Sequence, residues 1–153
     1  MPDGTLQTIV LVEDNADDVT LLRRAFQRAA IANPLHVVGD GEAARHYLAG
    51  EGVYGNRTQY PLPALMLLDL QLPRRSGFEV LAWLRTQPGL KRLVTVILTS
   101  SPQTTDIARA YDLGVNSYLV KPSDPNHLFT MVNTLHLYWI AYNTTPPLAS
   151  GTG

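Results

Sequence analysis

The chain has 153 residues, of which 45% are apolar and 16% charged, and a formal net charge of −1. That length suits one compact domain with a sizeable core, and the balance excludes a disordered chain. There is no basic run to neutralise nucleic-acid phosphates, no cysteine for disulfides, zinc thiolates or a thiol nucleophile, no signal-peptide pattern over Met1–Gln7, and no apolar run of bilayer length. The expectation is a cytoplasmic protein with neither nucleic-acid nor membrane partners.

Residues 1–6 read as a flexible N-terminus. From there a single domain over residues 7–143 alternates short runs rich in Val, Ile and Leu with longer segments of helical period. The predicted strands are Ile9–Val12, Leu35–Val38, Ala64–Leu68, Val94–Leu98 and Ser117–Val120. Their apolar runs are nearly continuous, as in a parallel sheet covered on both faces. Helix starts are written as Asp40 before Gly41-Glu42, as the capping box Ser76-Gly77-Phe78-Glu79, and as Asp124 followed by Pro125. Strict alternation with right-handed crossovers predicts an α/β fold: a doubly wound five-stranded parallel sheet of order 2-1-3-4-5, flavodoxin-like. Residues 144–153, with a Pro-Pro pair and scattered Ser, Gly and Thr, read as a flexible or extended tail.

On such a sheet, ligand sites lie beyond the carboxyl ends of the strands. Glu13 and Asp14 follow the first strand and Asp69 ends the third, its neighbour, so three carboxylates crowd one edge. They repel one another unless a cation is present, and the oxygen-only donor set favours Mg²⁺, which is commonly held by one or two carboxylates with water and phosphate oxygens. Thr99, with Ser100 beside it, follows the fourth strand and Lys121 the fifth, adding a hydroxyl and an ammonium to the same rim. A doubly charged phosphoryl group would find a cation, an ammonium and a hydroxyl there.

Four blocks in this order resemble the response-regulator receiver family: Ile9-Val10-Leu11-Val12-Glu13-Asp14-Asn15, Leu67-Leu68-Asp69-Leu70-Gln71-Leu72-Pro73 with Gly77, Val96-Ile97-Leu98-Thr99-Ser100, and Tyr118-Leu119-Val120-Lys121-Pro122. The resemblance runs from Ile9 to about Tyr142. It implies a phosphoacceptor at Asp69 and Mg²⁺ held by Glu13 (through water), Asp14, Asp69 and the backbone carbonyl of Gln71. It also implies phosphoryl contacts from Thr99 and Lys121, a cis Lys121–Pro122 peptide, and an aromatic switch at Tyr118 working with Thr99. The implied partner is a histidine kinase, the domain catalysing only its own phosphorylation and dephosphorylation. The long Glu51–Pro63 connection, the Thr99-Ser100-Ser101 strand end and a long aromatic last helix further resemble the small receivers that serve bacterial phytochrome kinases. With no DNA-binding or enzymatic segment after the fifth helix, the expected output is protein contact.

Two rivals share this fold class. A receiver-like binding module indifferent to phosphorylation would not need the set Glu13, Asp14, Asp69, Thr99 and Lys121, and a flavin carrier would want Ser, Thr or Gly after the first strand. His36, His46, His127 and His136 have no metal-ligand spacing, and Trp83 beside Leu81 and Leu84 reads as packing. On the last helix, Leu128, Met131, Val132, Leu135, Trp139 and Tyr142 form a sheet-facing stripe. Phe129, Leu137, Tyr138 and Ile140 fall off it, which predicts a homodimer through that helix.

Overall fold

The computed structural model describes residues 6–149. The first helix starts where Asn15 accepts a hydrogen bond from the Asp18 N–H, the second where Asp40 accepts from Ala43, the third where Ser76 accepts from Glu79, and the fifth where Asp124 accepts from Asn126 with Pro125 behind it. Between these starts the chain runs β1 (Ile9–Val12), α1 (Ala16–Arg28), β2 (Leu35–Val38), α2 (Gly41–Ala49), β3 (Leu65–Leu68), α3 (Gly77–Thr86), β4 (Thr95–Thr99), α4 (Thr104–Asp112), β5 (Ser117–Val120) and α5 (Pro125–Leu135). All strand pairs are parallel in the order β2-β1-β3-β4-β5, as the alternation predicts.

The apolar strand runs divide between two cores. Val10, Val12, Met66, Leu68 and Ile97 face α2, α3 and α4, where they meet Leu48, Leu81 and Ala110. Ile9, Leu11, Leu65, Leu67, Val96 and Leu98 face α1 and α5, where they meet Leu22, Phe26, Leu128 and Val132. Burying each such side chain fully contributes about 1.5 to 3 kcal/mol, so the sheet is the rigid base on which the strand ends are fixed. β4 begins and ends one residue later than the apolar run suggests: Thr95 and Thr99 are β-branched, wholly buried and within the strand, Thr99 pairing with Val120.

Two departures concern the chain's later part. After Leu135 the last helix continues as a π-helix over His136–Tyr142, whose wider turn resets the phase of the apolar stripe. Trp139 and Ile140 thereby pack on the α1/α5 core, while Tyr142, which helical spacing puts on the sheet side, is 81% exposed. The following tail, through residue 149, crosses the surface without regular structure: Gln7 Nε2 donates to Thr145 Oγ1, Leu148 packs against the core, and the Ala149 N–H donates to the Gly89 carbonyl at 2.7 Å. Of the termini read as flexible, residues 1–5 and 150–153 lie outside the described residues.

The Glu51–Pro63 connection is structured. It opens with a 3-10 turn at Gly52–Gly55, and Arg57 turns back to donate to the Tyr47 and Leu48 carbonyls at 2.7 and 2.8 Å, satisfying the C-terminal end of α2. Tyr47, Tyr54 and Tyr60 stack edge-on or tilted around it, and the Tyr47 hydroxyl donates to the Pro61 carbonyl.

The start of α3 lies against β3 so closely that a methyl group on Gly77 would overlap the Asp69 carbonyl oxygen and press on Leu70 Cα. Both obstacles are backbone, so neither can swing away. Gly77→Ala is therefore expected to cost about 1 to 3 kcal/mol of stability, as overpacking does, and urea denaturation followed by far-ultraviolet circular dichroism measures the loss.

Candidate functional site

Strand register assembles the rim. Val12 pairs with Leu68, so Glu13 and Asp69 leave adjacent strands side by side; the Asp69 N–H donates to the Val12 carbonyl at 3.1 Å and the Glu13 N–H to the Val38 carbonyl at 3.0 Å. The turn into α1 adds a bond from the Asn15 N–H to Glu13 Oε2. One carboxylate oxygen from each of Glu13, Asp14 and Asp69 lies within 4.8 Å of the others, Glu13 and Asp69 buried and Asp14 exposed. Among the described residues this is the one acidic or histidine cluster compact enough to hold a metal ion.

Lys121, at the end of β5, reaches into the cluster. Its Nζ donates to Glu13 Oε1 at 2.5 Å, Asp18 Oδ2 at 2.8 Å and Asp69 Oδ2 at 3.1 Å. Burial works against the ammonium, but the hydrogen bonds to Asp18 and Glu13, with the charge of Asp69, outweigh it and hold the Lys121 pKa above its usual value. For Glu13 burial is the larger influence and, reinforced by the charge of Asp69, raises its pKa despite the bond from Lys121. Four carboxylates thus face one ammonium. The excess of hard, negatively charged oxygen suits a divalent cation.

Thr99 is buried at the last position of β4; its Oγ1 accepts from the Ser101 N–H at 3.5 Å, and its carbonyl accepts from the Lys121 N–H at 2.7 Å. The Gln71 N–H donates to Asp69 Oδ1 at 3.3 Å, which ties the β3–α3 loop to the cluster. Tyr118 lies half-buried on β5, its hydroxyl donating to the Ser101 carbonyl at 2.8 Å, and burial is the chief reason its pKa is raised. Ser101 in turn donates to Asp106 Oδ2 at 2.6 Å, so a short chain of contacts runs from Thr99 through Ser101 to Tyr118 and α4.

The structure thus brings Glu13, Asp14, Asp69, Thr99 and Lys121 to one rim, with Gln71 and Tyr118 at its borders. It corrects one expectation: no peptide bond among the described residues is cis, so Lys121–Pro122 is trans. Trans remains the preferred geometry even before proline, and from it Lys121 already reaches three carboxylates. Asp18 escaped the sequence reading. It looks there like an ordinary acidic residue in a helix's first turn, and no local signal marks its contact with Lys121. The histidines stay away from the rim: His36 stacks with Tyr47 and Tyr60, His46 meets Glu51, His127 lies near Asp124, and His136 bonds Asn33.

The family model of the response regulator receiver domain matches residues 9–133. The chain belongs to that family. The response regulator Rcp1 of Synechocystis is 39% identical over 140 residues, covering 92% of this chain and 93% of that protein. The phosphorylated cyanobacterial phytochrome response regulator RcpA superposes with a TM-score of 0.86 at 38% identity, covering 93% of this chain and 99% of RcpA. RPA3017, a response regulator in red light signalling of R. palustris, superposes with a TM-score of 0.88 at 34% identity over 92% and 99% of the two chains. Rcp1 has also been crystallised with Mn²⁺ bound, and this receiver's acidic cluster matches such divalent metal binding. No helix among the described residues is long and apolar enough to cross a membrane.

The raised pKa of Glu13 fixes the sign of a pH effect. A carboxyl whose folded pKa lies above its ordinary 4.5 favours the fold below that pH and ceases to as pH rises through the folded value. Glu13→Gln removes this dependence. In chelator, the stability of the variant relative to the parent should therefore rise from pH 4.5 toward neutrality. Denaturant titrations at several pH values read this, and a difference that is flat or falls with pH would refute it.

Proposed function

We propose that this receiver takes a phosphoryl group from the phosphohistidine of a kinase onto Asp69. The observation that carries this is the Lys121 ammonium 3.1 Å from an Asp69 carboxylate set among Glu13 and Asp14. The Asp69 carboxylate oxygen forms a bond to phosphorus as the phosphorus–nitrogen bond to the kinase imidazole breaks, and the proton needed by the leaving imidazole comes from solvent. Asp69 is held for this by the bond from the Gln71 N–H and by the sheet beneath it. Lys121 and the Thr99 hydroxyl then share the phosphoryl oxygens. Mg²⁺, held by Glu13, Asp14, Asp69 and the Gln71 carbonyl, would supply charge neutralisation at an otherwise acidic rim.

In this reading, Thr99 turns toward the phosphoryl group and releases Ser101, and Tyr118 shifts against α4, biasing the face built by α4, β5 and α5. The output is protein contact through that face. The likeness to RcpA and RPA3017 supports a bacteriophytochrome-type histidine kinase as donor, and a cysteine-free composition fits a cytoplasmic site of action. Incubation with a small phosphodonor such as acetyl phosphate should add one phosphoryl group to the intact mass. Asp69→Asn or chelator should abolish it, and label persisting in either would refute the assignment.

We also infer a homodimer through the last helix. Leu137, Tyr138 and Tyr142 are exposed there, and Val120 on the adjoining edge strand is exposed as well. Two copies related by a two-fold axis could cover such a patch. Because Ile140 packs on the core, the surface is best disrupted by Leu137→Glu with Tyr138→Glu. Sedimentation equilibrium is expected to give a dimer for the parent and a monomer for the double variant; a parent that stays monomeric at high micromolar concentration, with and without a phosphate mimic, would refute the pairing.

A further inference from the structure

Asp18 lies outside the three carboxylates that share a metal-sized space, yet it takes one of the three N–H donors of Lys121 at 2.8 Å. The other two donors go to Glu13 and Asp69, both members of that cluster. A cation bound there competes with Lys121 for Glu13 and Asp69, and a phosphoryl group on Asp69 occupies one of its oxygens. Asp18 is the partner that neither event displaces.

We propose that Asp18 is a positioning residue that tethers Lys121 through the whole cycle, holding its ammonium at the rim while two donors pass from Glu13 and Asp69 to the phosphoryl oxygens. The proposal rests on the reading of Asp69 as phosphoacceptor. Asp18 is placed for the task by a rigid element: its N–H is held by Asn15, and α1 is pinned by Leu22 and Phe26 in the core shared with α5. The tether matters because a lysine stem is flexible. Beside the pair lies a cavity of about 30 Å³ that, apart from Asp18 and Lys121, is lined by Leu21, Leu22, Leu98, Pro122 and Leu128, so it provides no other acceptor for the ammonium. The alternative is that Asp18 serves only the N-terminus of α1. Asp17, exposed in the same turn, supplies that charge equally well and is the natural control.

The test uses Asp18→Ala, Asp18→Asn, Asp17→Ala and Asp69→Asn in the full chain. Mg²⁺ affinity is read by calorimetry, and beryllofluoride affinity at saturating Mg²⁺ by ¹⁹F NMR, which also reports the environment of the bound fluorines. Asp18→Ala is expected to weaken beryllofluoride binding about ten- to hundredfold, the equivalent of one charge-assisted hydrogen bond, while Mg²⁺ affinity changes by less than about threefold. Asp18→Asn, whose amide oxygen still accepts, should recover most of the loss, and Asp17→Ala should match the parent. Asp18→Leu, a helix former with no acceptor, replaces the alanine variant should that fail to fold. Beryllofluoride binding as tight as the parent's in Asp18→Ala or Asp18→Leu, or Mg²⁺ affinity falling in parallel with it, would overturn the tether. Phosphoryl labelling that persists in Asp69→Asn would instead overturn the acceptor reading, so the two failures are distinguishable.

Discussion

The organising constraint of this molecule is the enclosure of like charges under the rim of an apolar sheet. Glu13 and Asp69 are buried on neighbouring strands, with Asp14 close by. Two carboxylates at the 4.8 Å limit of the cluster repel by about 3 kcal/mol at an effective dielectric constant of 20. The backbone relieves this only in part, through N–H bonds from Asn15 to Glu13 and from Gln71 to Asp69, because parallel strands in the order β2-β1-β3 deliver both residues to the same place. Lys121 is the local remedy, and its three bonds explain how the protein folds around an acidic hollow. A divalent ion is the stronger remedy, and on the proposed reading its uptake frees Lys121 donors for the phosphoryl group.

The rest of the fold serves that hollow by fixing its walls. The two cores hold the sheet from both sides, and the Val12–Leu68 register sets the spacing of the acidic side chains. The close approach of Gly77 to the Asp69 backbone seats α3 directly against the end of β3. On the other side, Thr99 and Lys121 are coupled by a backbone hydrogen bond, so β4 and β5 present hydroxyl and ammonium as a unit. The Ser101–Tyr118 connection leads away from the rim toward α4, through a half-buried side chain at the border of one core.

Much of this was legible in the sequence because its signals are local. The strand runs, the caps at Asp40, Ser76 and Asp124, and the carboxylates at strand ends each rest on residues a few positions apart, and alternation fixed the order of the sheet. What escaped depends on contacts across long separations or on a change of helical type. Asp18 meets Lys121 across 103 residues, and Arg57 closes α2 from within a connection that reads as an insertion. The π-helix after Leu135 has no compositional mark, so a period of 3.6 carried through it puts Tyr142 on the wrong side. The trans Lys121–Pro122 bond shows the same limit, since a pattern borrowed from relatives cannot say which isomer this chain's own contacts support.

The energetics of a switch follow from the same hollow. Inverting a 1:99 equilibrium requires roughly 5.5 kcal/mol of differential binding. A site whose donors were idle at rest would carry unsatisfied buried groups, at about 1 to 3 kcal/mol each, and would lose definition before any signal arrived. Here the resting state satisfies Lys121 with carboxylates, Thr99 Oγ1 with the Ser101 N–H and the Tyr118 hydroxyl with the Ser101 carbonyl. Activation on the proposed reading is therefore an exchange of partners at Lys121, joined by a new donation from the Thr99 hydroxyl. Its driving force is the difference between a bond to carboxylate and a bond to a more highly charged phosphoryl oxygen at Lys121, together with the bond that the Thr99 hydroxyl donates to the same group. Because each contributes only a few kcal/mol, neither alone moves the equilibrium fully, and the response depends on both rim residues acting on the same phosphoryl group.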